Sequence, residues 1–277
     1  MKKMMKRVIT AVVIMSVALG LTACGSAAGD KAGASDRKTF TVGFDAEFPP
    51  YGYLDESTGE YVGFDLDLAA EVCKRNGWEL KKQPIDWDAK DMELNSGAID
   101  CIWNGFTING REDQYTWSVP YVDNSQVFVV SATSGITKKS DLAGKVVGVQ
   151  KDSSALAALE DEETPENIEL KDSFADLIQY ADYNTGFMDL EAGAIDCLAL
   201  DIGVANFQVS QREADAYIIL DDKLSLEQYG VGFKLGNEEL KDTVEKTLLE
   251  MVDDGTFMKI AENYSDFGLT DSVCLGK

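Results

Sequence analysis

The sequence predicts an α/β protein of two similar halves, and three observations carry that prediction. Apolar runs with strand character alternate with helical spacings from Thr39 to near the C-terminus. The pentapeptide Gly-Ala-Ile-Asp-Cys occurs twice, at 97–101 and 193–197, each time after a helical segment and leading into a strand. About 240 residues follow the N-terminal segment, enough for two lobes of roughly 100 residues that each bury a core. Strands alternating with helices argue for a mainly parallel sheet in each half.

In chain order, Thr39-Phe40-Thr41-Val42-Gly43-Phe44 reads as the first strand, leading into a Pro-containing loop over 45–51. A turn at 55–60 precedes Tyr61 to Phe64. Asp65 is a natural N-cap for the helix that follows, since a carboxylate accepts from the free amides of a first turn. Leu68, Ala69, Val72 and Cys73 fall at helical spacing, and Asn76-Gly77 ends the pattern. A strand over 79–83, a helix from about 88 to 95 and the strand of the first repeat come next, then a strand at 126–132. The scheme restarts at the strand 146–150, and a loop with Asp152, Ser153 and Ser154 opens a helix through Leu156 and Leu159. A strand near 168–171 and a helix over 182–192 lead to the second repeat. Residues 229–233 form a late strand returning the chain to the first half. Two helices close the sequence. One carries Leu240, Val244, Leu248 and Met251 behind Asn237 as its cap, and the other carries Phe257, Ile260, Ala261 and Tyr264.

Composition removes several function classes. Histidine is absent, and with it go the usual general base, the Ser-His-Asp arrangement and the commonest zinc ligand. Cys73, Cys101, Cys197 and Cys274 show no Cys-x-x-Cys spacing, so neither a metal nor a cofactor is expected. The first three are expected as buried free thiols, with a disulfide from Cys274 left open. Lys and Arg total 25 against 49 Asp and Glu, a formal charge of −24, which repels nucleic acid and anionic head groups. The 45% hydrophobic content rules out wholesale disorder.

Residues 1–23 read as a processing segment. Lys2, Lys3, Lys6 and Arg7 precede an apolar run over 8–21 that is too short for a membrane span. The run closes on Leu21-Thr22-Ala23-Cys24, which resembles the lipobox of bacterial lipoproteins. That resemblance implies cleavage before Cys24 and acylation of both its sulfur and its new amino terminus, which together anchor stably to a membrane. Loss of the four basic residues takes the formal charge from −24 to −28. Residues 24–37, mostly Gly, Ser, Ala and charged, read as a flexible tether.

The segments after the two repeats differ in charge. The first runs from Ile102 to Arg111 and ends on a cation; the second runs from Leu198 to Asp201 and ends on an anion. In parallel α/β sheets, ligands sit beyond the carboxyl ends of the strands, where the loops converge. Both segments, and the loops at 45–51 and 150–154, are expected there, and an Arg facing an Asp suits the two ends of a zwitterion.

Asp45-x-x-Phe48-x-Pro50, then Gly63-Phe64-Asp65-Leu66-Asp67-Leu68-Ala69, then Thr107 to Arg111 and Ser118-x-Pro120-Tyr121 follow one another in the chain. This order resembles the polar-amino-acid substrate-binding proteins of bacterial ABC importers, over about residues 38–268. The resemblance implies a two-lobed, type II periplasmic-binding-protein-like fold: two parallel or mixed sheets flanked by helices and joined by two hinge strands within 126–132 and 223–230. Lobe 1 is then 38–127 plus 229–277, and lobe 2 is 128–228. The resemblance also implies that Arg111 takes the ligand carboxylate bidentately, with Thr107 and the Gly105 backbone assisting. Ser153 and Ser154 would donate to the same carboxylate, and Asp201 would accept the ammonium. Phe48 and Trp87 would flank the ligand, and Asp45 and Asn104 would meet its side chain, with Gln150 and Lys151 as further polar neighbours. Two departures stand out: the interval from Thr107 to Arg111 is one residue shorter than the family's, and Asp152 stands where the family often has Gly. From the residues alone, Arg111 has the alternative of a surface pair with Glu112 or Asp113, Asp201 that of a helix cap, and Trp103 that of core packing. The Asp65/Asp67 pair is read as capping rather than metal binding.

The expected function is binding without chemistry, by a monomeric, lipid-anchored receptor on the extracytoplasmic face of the cell membrane. It captures a free L-amino acid, a polar neutral one such as glutamine or cystine being favoured, and presents it to ABC permease subunits. The rival readings are an enzyme on the same scaffold, such as a cyclohexadienyl-type dehydratase using Asp45 or Glu47, and a surface amino-acid sensor.

Overall fold

A computed structural model describes residues 37–277; the leader, Cys24 and the tether up to residue 36 lie outside the described residues. The chain begins with β1 (Thr39–Phe44), and β2 (Glu47–Phe48), β3 (Gly52–Asp55) and β4 (Glu60–Val62) then form a small antiparallel sheet. Next come α1 (Phe64–Asn76), β5 (Glu79–Pro84), α2 (Lys90–Ser96), β6 (Cys101–Ile102) and β7 (Tyr115–Trp117). Strand β8 (Val122–Ser131) leads into β9 (Val146–Gln150), α3 (Ser154–Glu160), α4 (Pro165–Ser173), β10 (Asp176–Tyr180) and α5 (Tyr183–Ala192). After β11 (Cys197–Asp201), α6 (Ile202–Ser210) and β12 (Tyr217–Ile219), the chain returns through β13 (Ser225–Tyr229) and β14 (Gly232–Lys234). Helices α7 (Glu238–Asp253), α8 (Thr256–Glu262) and α9 (Leu269–Ser272) close it.

Two sheets carry the two halves. The first runs β5-β1-β6-β14-β7 and the second β10-β9-β11-β8-β12. Each is parallel across its first three strands and antiparallel beyond them, so both are mixed rather than wholly parallel. β8 pairs with β13 over Val122 to Gln126, and from Gln126 to Val130 it pairs with β11. The ladder that runs between the sheets therefore involves residues 122–126 and 225–229, a few residues earlier on the first strand than expected.

The repeated pentapeptide is a structural module used twice. Gly97 ends α2 and Gly193 ends α5 in the left-handed conformation (φ 82° and 71°), accepted by glycine without steric cost. Ile99 and Ile195 then pack over a glycine of the neighbouring strand: a Cβ on Gly43 would lie 2.3 Å from Ile99 Cδ1, and one on Gly148 would lie 2.8 Å from Ile195 Cδ1. The Asp carboxylates accept from the neighbouring strand, Asp100 from Thr41 N at 2.7 Å and Asp196 from Val146 N at 2.9 Å. Cys101 and Cys197 open β6 and β11, fully buried and unpaired; Cys73 is also a buried free thiol, and Cys274 forms no disulfide.

Helix α7 follows its apolar stripe, burying Leu240, Val244, Leu248 and Met251 against α1 and α8. Each such side chain, moved out of water, contributes about 1.5–3 kcal/mol. Four local expectations differ from the structure. Residues 168–171 lie in helix α4 rather than a strand, because Pro165 occupies the first helical turn and fixes a helical φ. Residues 229–233 are not one strand, since β13 ends at Tyr229 and β14 starts at Gly232 in the other sheet. Neither Asp65 nor Asn237 makes a side-chain cap: Gly63 precedes α1, and Asp65 is wholly buried inside it.

Candidate ligand-binding site

The carboxyl ends of β1, β6, β9 and β11 converge where the two sheets' loops meet. The residues delivered there are Asp45, residues 103–111, Gln150 to Ser154, and Asp201. Several contacts join the halves: Gln150 Nε2 donates to Asp45 Oδ2 at 2.7 Å, Trp87 Nε1 to the Asp152 carbonyl at 3.2 Å, and Thr107 Oγ1 to Ser154 Oγ at 3.2 Å. Lys151 pairs with Asp88, and Asn184 donates to Glu47.

At the centre lie two buried carboxylates. Asp201 Oδ1 accepts from Asn124 Nδ2 at 2.8 Å, Gln126 Nε2 at 2.7 Å and Tyr229 OH at 2.5 Å. Glu227 Oε1 accepts from Thr107 Oγ1 at 2.8 Å, Asn124 Nδ2 at 2.6 Å, Gln126 Nε2 at 2.8 Å and Ser154 Oγ at 3.2 Å. Among the described residues neither acid has an ion pair. Burial pushes the Asp201 carboxyl well above the usual carboxylate range, and the charge of Glu227 adds to that push. Although Asp201 sits at the N-cap position of α6, its side chain makes no capping bond.

Arg111 turns away from Glu112 and Asp113. Its guanidinium donates to the carbonyls of Thr107 at 3.3 Å and Asp152 at 3.4 Å, and lies 5.3 Å from the centre of the Phe106 ring. Ser153 caps α3, accepting from Leu156 N at 3.2 Å. Asp152 has φ 57°, which explains why glycine suits this position; the acid's own carboxylate is held by Lys90, itself only 2% exposed. Gly105 N donates to Asp65 Oδ2 at 2.6 Å, and Tyr121 OH to the same oxygen at 2.9 Å. Asp65 is thus a buried prop beneath the loop of Arg111, not a cap.

Phe48 packs between Tyr51 and Tyr183, with ring centroids 5.8 Å and 6.0 Å away. Trp87 stands edge-on to Phe106 at 5.4 Å. Trp103 is fully buried core. Asn104 is 1% exposed, and among the described residues its two amide atoms, Asn124 Oδ1 and Gln126 Oε1 have no hydrogen-bond partner. A buried polar atom without a partner costs free energy.

Beside the junction opens a cleft of about 670 Å³ lined by Asp45, Glu47, Asp86, Trp87, Asp88, Glu93, Lys151 and Asp182 among others. Of the expected site residues, Asp45 and Trp87 line it, Thr107 and Asp201 lie buried at the junction, and Asn104 is buried with its amide oxygen against Gly52. Burial pushes Asp45 up to about 6 and raises Glu47 as well.

Sequence reading missed Glu227, Asn124, Gln126 and the phenols of Tyr51, Tyr183 and Tyr229. A signal was available. Glu227 and Tyr229 fall two apart on β13, as Asn124 and Gln126 do on β8, so each pair shares a face by strand periodicity.

The model of the bacterial extracellular solute-binding proteins, family 3, matches residues 40–267. The chain belongs to that family. Family membership makes it a solute-binding protein, not an enzyme. It is 29% identical over 232 residues to the L-cystine-binding protein TcyJ of Escherichia coli (strain K12), covering 83% of each chain. It is 27% identical over 269 residues to the arginine-binding extracellular protein ArtP of Bacillus subtilis, covering 94% of this chain and 98% of that one. A solved ABC uptake transporter substrate binding protein from Streptococcus pneumoniae with bound histidine superposes with TM-score 0.78 at 33% identity, over 83% of this chain and 94% of that one. An ancestral arginine-binding protein bound to glutamine superposes with TM-score 0.73 at 34% identity, over 82% of this chain and 98% of the other. This family's two-lobed fold is the architecture expected from the motifs. Among the described residues, no helix is long and apolar enough to cross a membrane, and no group of three His, Cys, Asp or Glu side chains is arranged to hold a metal.

Proposed function

We propose that this protein is the receptor of an ABC importer, that it captures one free L-amino acid between its lobes, and that it presents the closed form to permease subunits. The observation that carries this reading is the junction itself: Asp201 and Glu227, both buried and, among the described residues, bonded only by neutral donors. A zwitterion supplies a cation for Asp201 and an anion for Arg111. Thr107, Ser153 and Ser154 offer hydroxyls to its carboxylate, whereas the expected help from the Gly105 backbone is withdrawn, because its N–H is already given to Asp65. Phe48 and Trp87 flank it, and Asp45 and Asn104 meet its side chain. Closure then depends on ligand, since the opposite charges are presented by different lobes.

On sequence grounds a polar neutral side chain was favoured because no cluster of pocket carboxylates was in view. The cleft supplies one, Asp45, Glu47, Asp86, Asp88, Glu93 and Asp182 against Lys151, which suits a donor-rich or cationic side chain and disfavours an anionic one. Cleavage before Cys24 with lipid attachment, supported by the leader and its Leu-Thr-Ala-Cys end, would tether the monomeric receptor to the outer face of the membrane.

A thermal-unfolding panel of the common amino acids, cystine and a prephenate-like cyclic acid tests the reading. Stabilisation by one or a few amino acids is expected, by about 2.7 kcal/mol at a hundredfold excess over Kd, with glutamate and aspartate inert. Stabilisation by none of them, or turnover of the cyclic acid, would contradict it.

A further inference from the structure

Glu227 stands on β13, the strand that runs between the sheets, and is 6% exposed. It shares its donors with Asp201. Asn124 Nδ2 lies 2.6 Å from Glu227 Oε1 and 2.8 Å from Asp201 Oδ1, and Gln126 Nε2 lies 2.8 Å and 2.7 Å from the same two atoms. Two carboxylates bridged twice by single amide nitrogens are close neighbours in a poorly hydrated place, where like charges repel strongly. Every donor to them is a neutral amide or hydroxyl. The charge balance is therefore incomplete within the chain.

We infer that Glu227 and Asp201 together receive the cationic group of the ligand, whose charge takes the place of a proton that the pair holds when the site is empty. This rests on the amino-acid-binding reading above and adds to it a second anionic contact and a proton coupling. Both lobes converge on Glu227: Thr107 reaches it from the loop after β6, and Ser154 from the start of α3. A cation seated against the pair is thus in reach of hydroxyls from either side of the cleft.

The surroundings leave few other sources for such a proton. Tyr229, Tyr51 and Tyr183 face the pair, and burial holds all three phenols well above their ordinary range, so they stay neutral. Asp65, on α1, is engaged by Gly105 and Tyr121, and Asp45, after β1, by Gln150. The cation nearest in the chain to Thr107 is Arg111, whose charge is fixed. The raised carboxyl of Asp201 agrees with a proton held at the pair. Displacing it balances simply: the proton leaves to solvent, and the ligand ammonium keeps its own.

Titration calorimetry of L-arginine, L-glutamine and L-cystine at pH 6.5, in phosphate and in imidazole buffer, tests this. The wild-type heat should differ between buffers in proportion to their ionisation heats, showing net proton release. Glu227→Gln keeps an acceptor for Thr107, Asn124, Gln126 and Ser154, so it should unfold no earlier than wild type while binding about 10- to 100-fold more weakly, with the buffer dependence gone. Glu227→Asp, which keeps the charge, should retain the release. Wild-type affinity in Glu227→Gln, or an undiminished proton release, would overturn the inference while leaving the amino-acid reading intact. Failure of the wild type to bind any of the three would remove both.

Discussion

Asp65 and Glu227 are acids with almost no water around them. Asp65 lies where a helix cap is expected, but its carboxylate points inward to Gly105 N and Tyr121 OH. Burial raises it from 3.8 to about 7. Between about pH 4 and pH 7 the native state thus keeps a proton that the unfolded chain has released, so this group's contribution falls as pH rises through that window. Asp65→Asn keeps an acceptor for both donors and has no proton to lose. Its stability, from urea unfolding between pH 4 and pH 7.5, should decline less with pH than that of the wild type, by on the order of a few kcal/mol across the window. A slope equal to that of the wild type would show that Asp65 is not protonated on burial. Glu227 escaped notice for a related reason. Strand periodicity places it inward with Tyr229, but one acid in a short polar strand reads as solvent-facing until its partner strand is known. Arg111 and Asp201 were legible because each ends a segment following a repeated marker.

At the scale of elements, the Gly-Ala-Ile-Asp-Cys module shows how far local sequence reached. Its recurrence marked matching strands in the two halves, and each copy does start one, β6 and β11. In the first copy its Ile and Asp act on a strand more than fifty positions earlier, Ile99 over Gly43 and Asp100 on Thr41 N, and such contacts need the fold before they can be seen. The strand expected at 168–171 failed for the opposite reason: four residues alternate suitably, but Pro165 and the following residues commit the segment to a helix. The Ile99–Gly43 contact is testable. Gly43→Ala would place a methyl 2.3 Å from Ile99 Cδ1 in a closed core and should cost about 1–3 kcal/mol. Adding Ile99→Val, which removes that Cδ1 methyl, should recover part of the loss in a double-mutant cycle. Strict additivity of the two changes would show that they do not meet.

The molecule as a whole is two sheets drawn together by polar contacts around a junction that is itself unfinished. Lys90 grips Asp152, Lys151 grips Asp88, and Gln150 reaches Asp45, so the rim of the cleft is fastened by the chain's own side chains. The interior is different: among the described residues Asp201 and Glu227 are bonded only by neutral amides and hydroxyls. The two-lobed plan was readable from motif order, and the same order is what proposes the residues from Asp45 to Asp201 for the site, because loops after parallel strands converge. The polar lattice of β8 and β13 was not, because it exists only once the two strands cross between sheets. The most direct measurement is calorimetric titration of the best-binding amino acid into wild type, Arg111→Ala and Asp201→Ala, with unfolding midpoints recorded alongside. Both variants should stay folded and lose at least about a hundredfold in affinity, since each removes a charged partner from one end of the zwitterion in a buried site. Wild-type affinity in both folded variants would contradict the proposal that the lobes grip a zwitterion between Arg111 and Asp201.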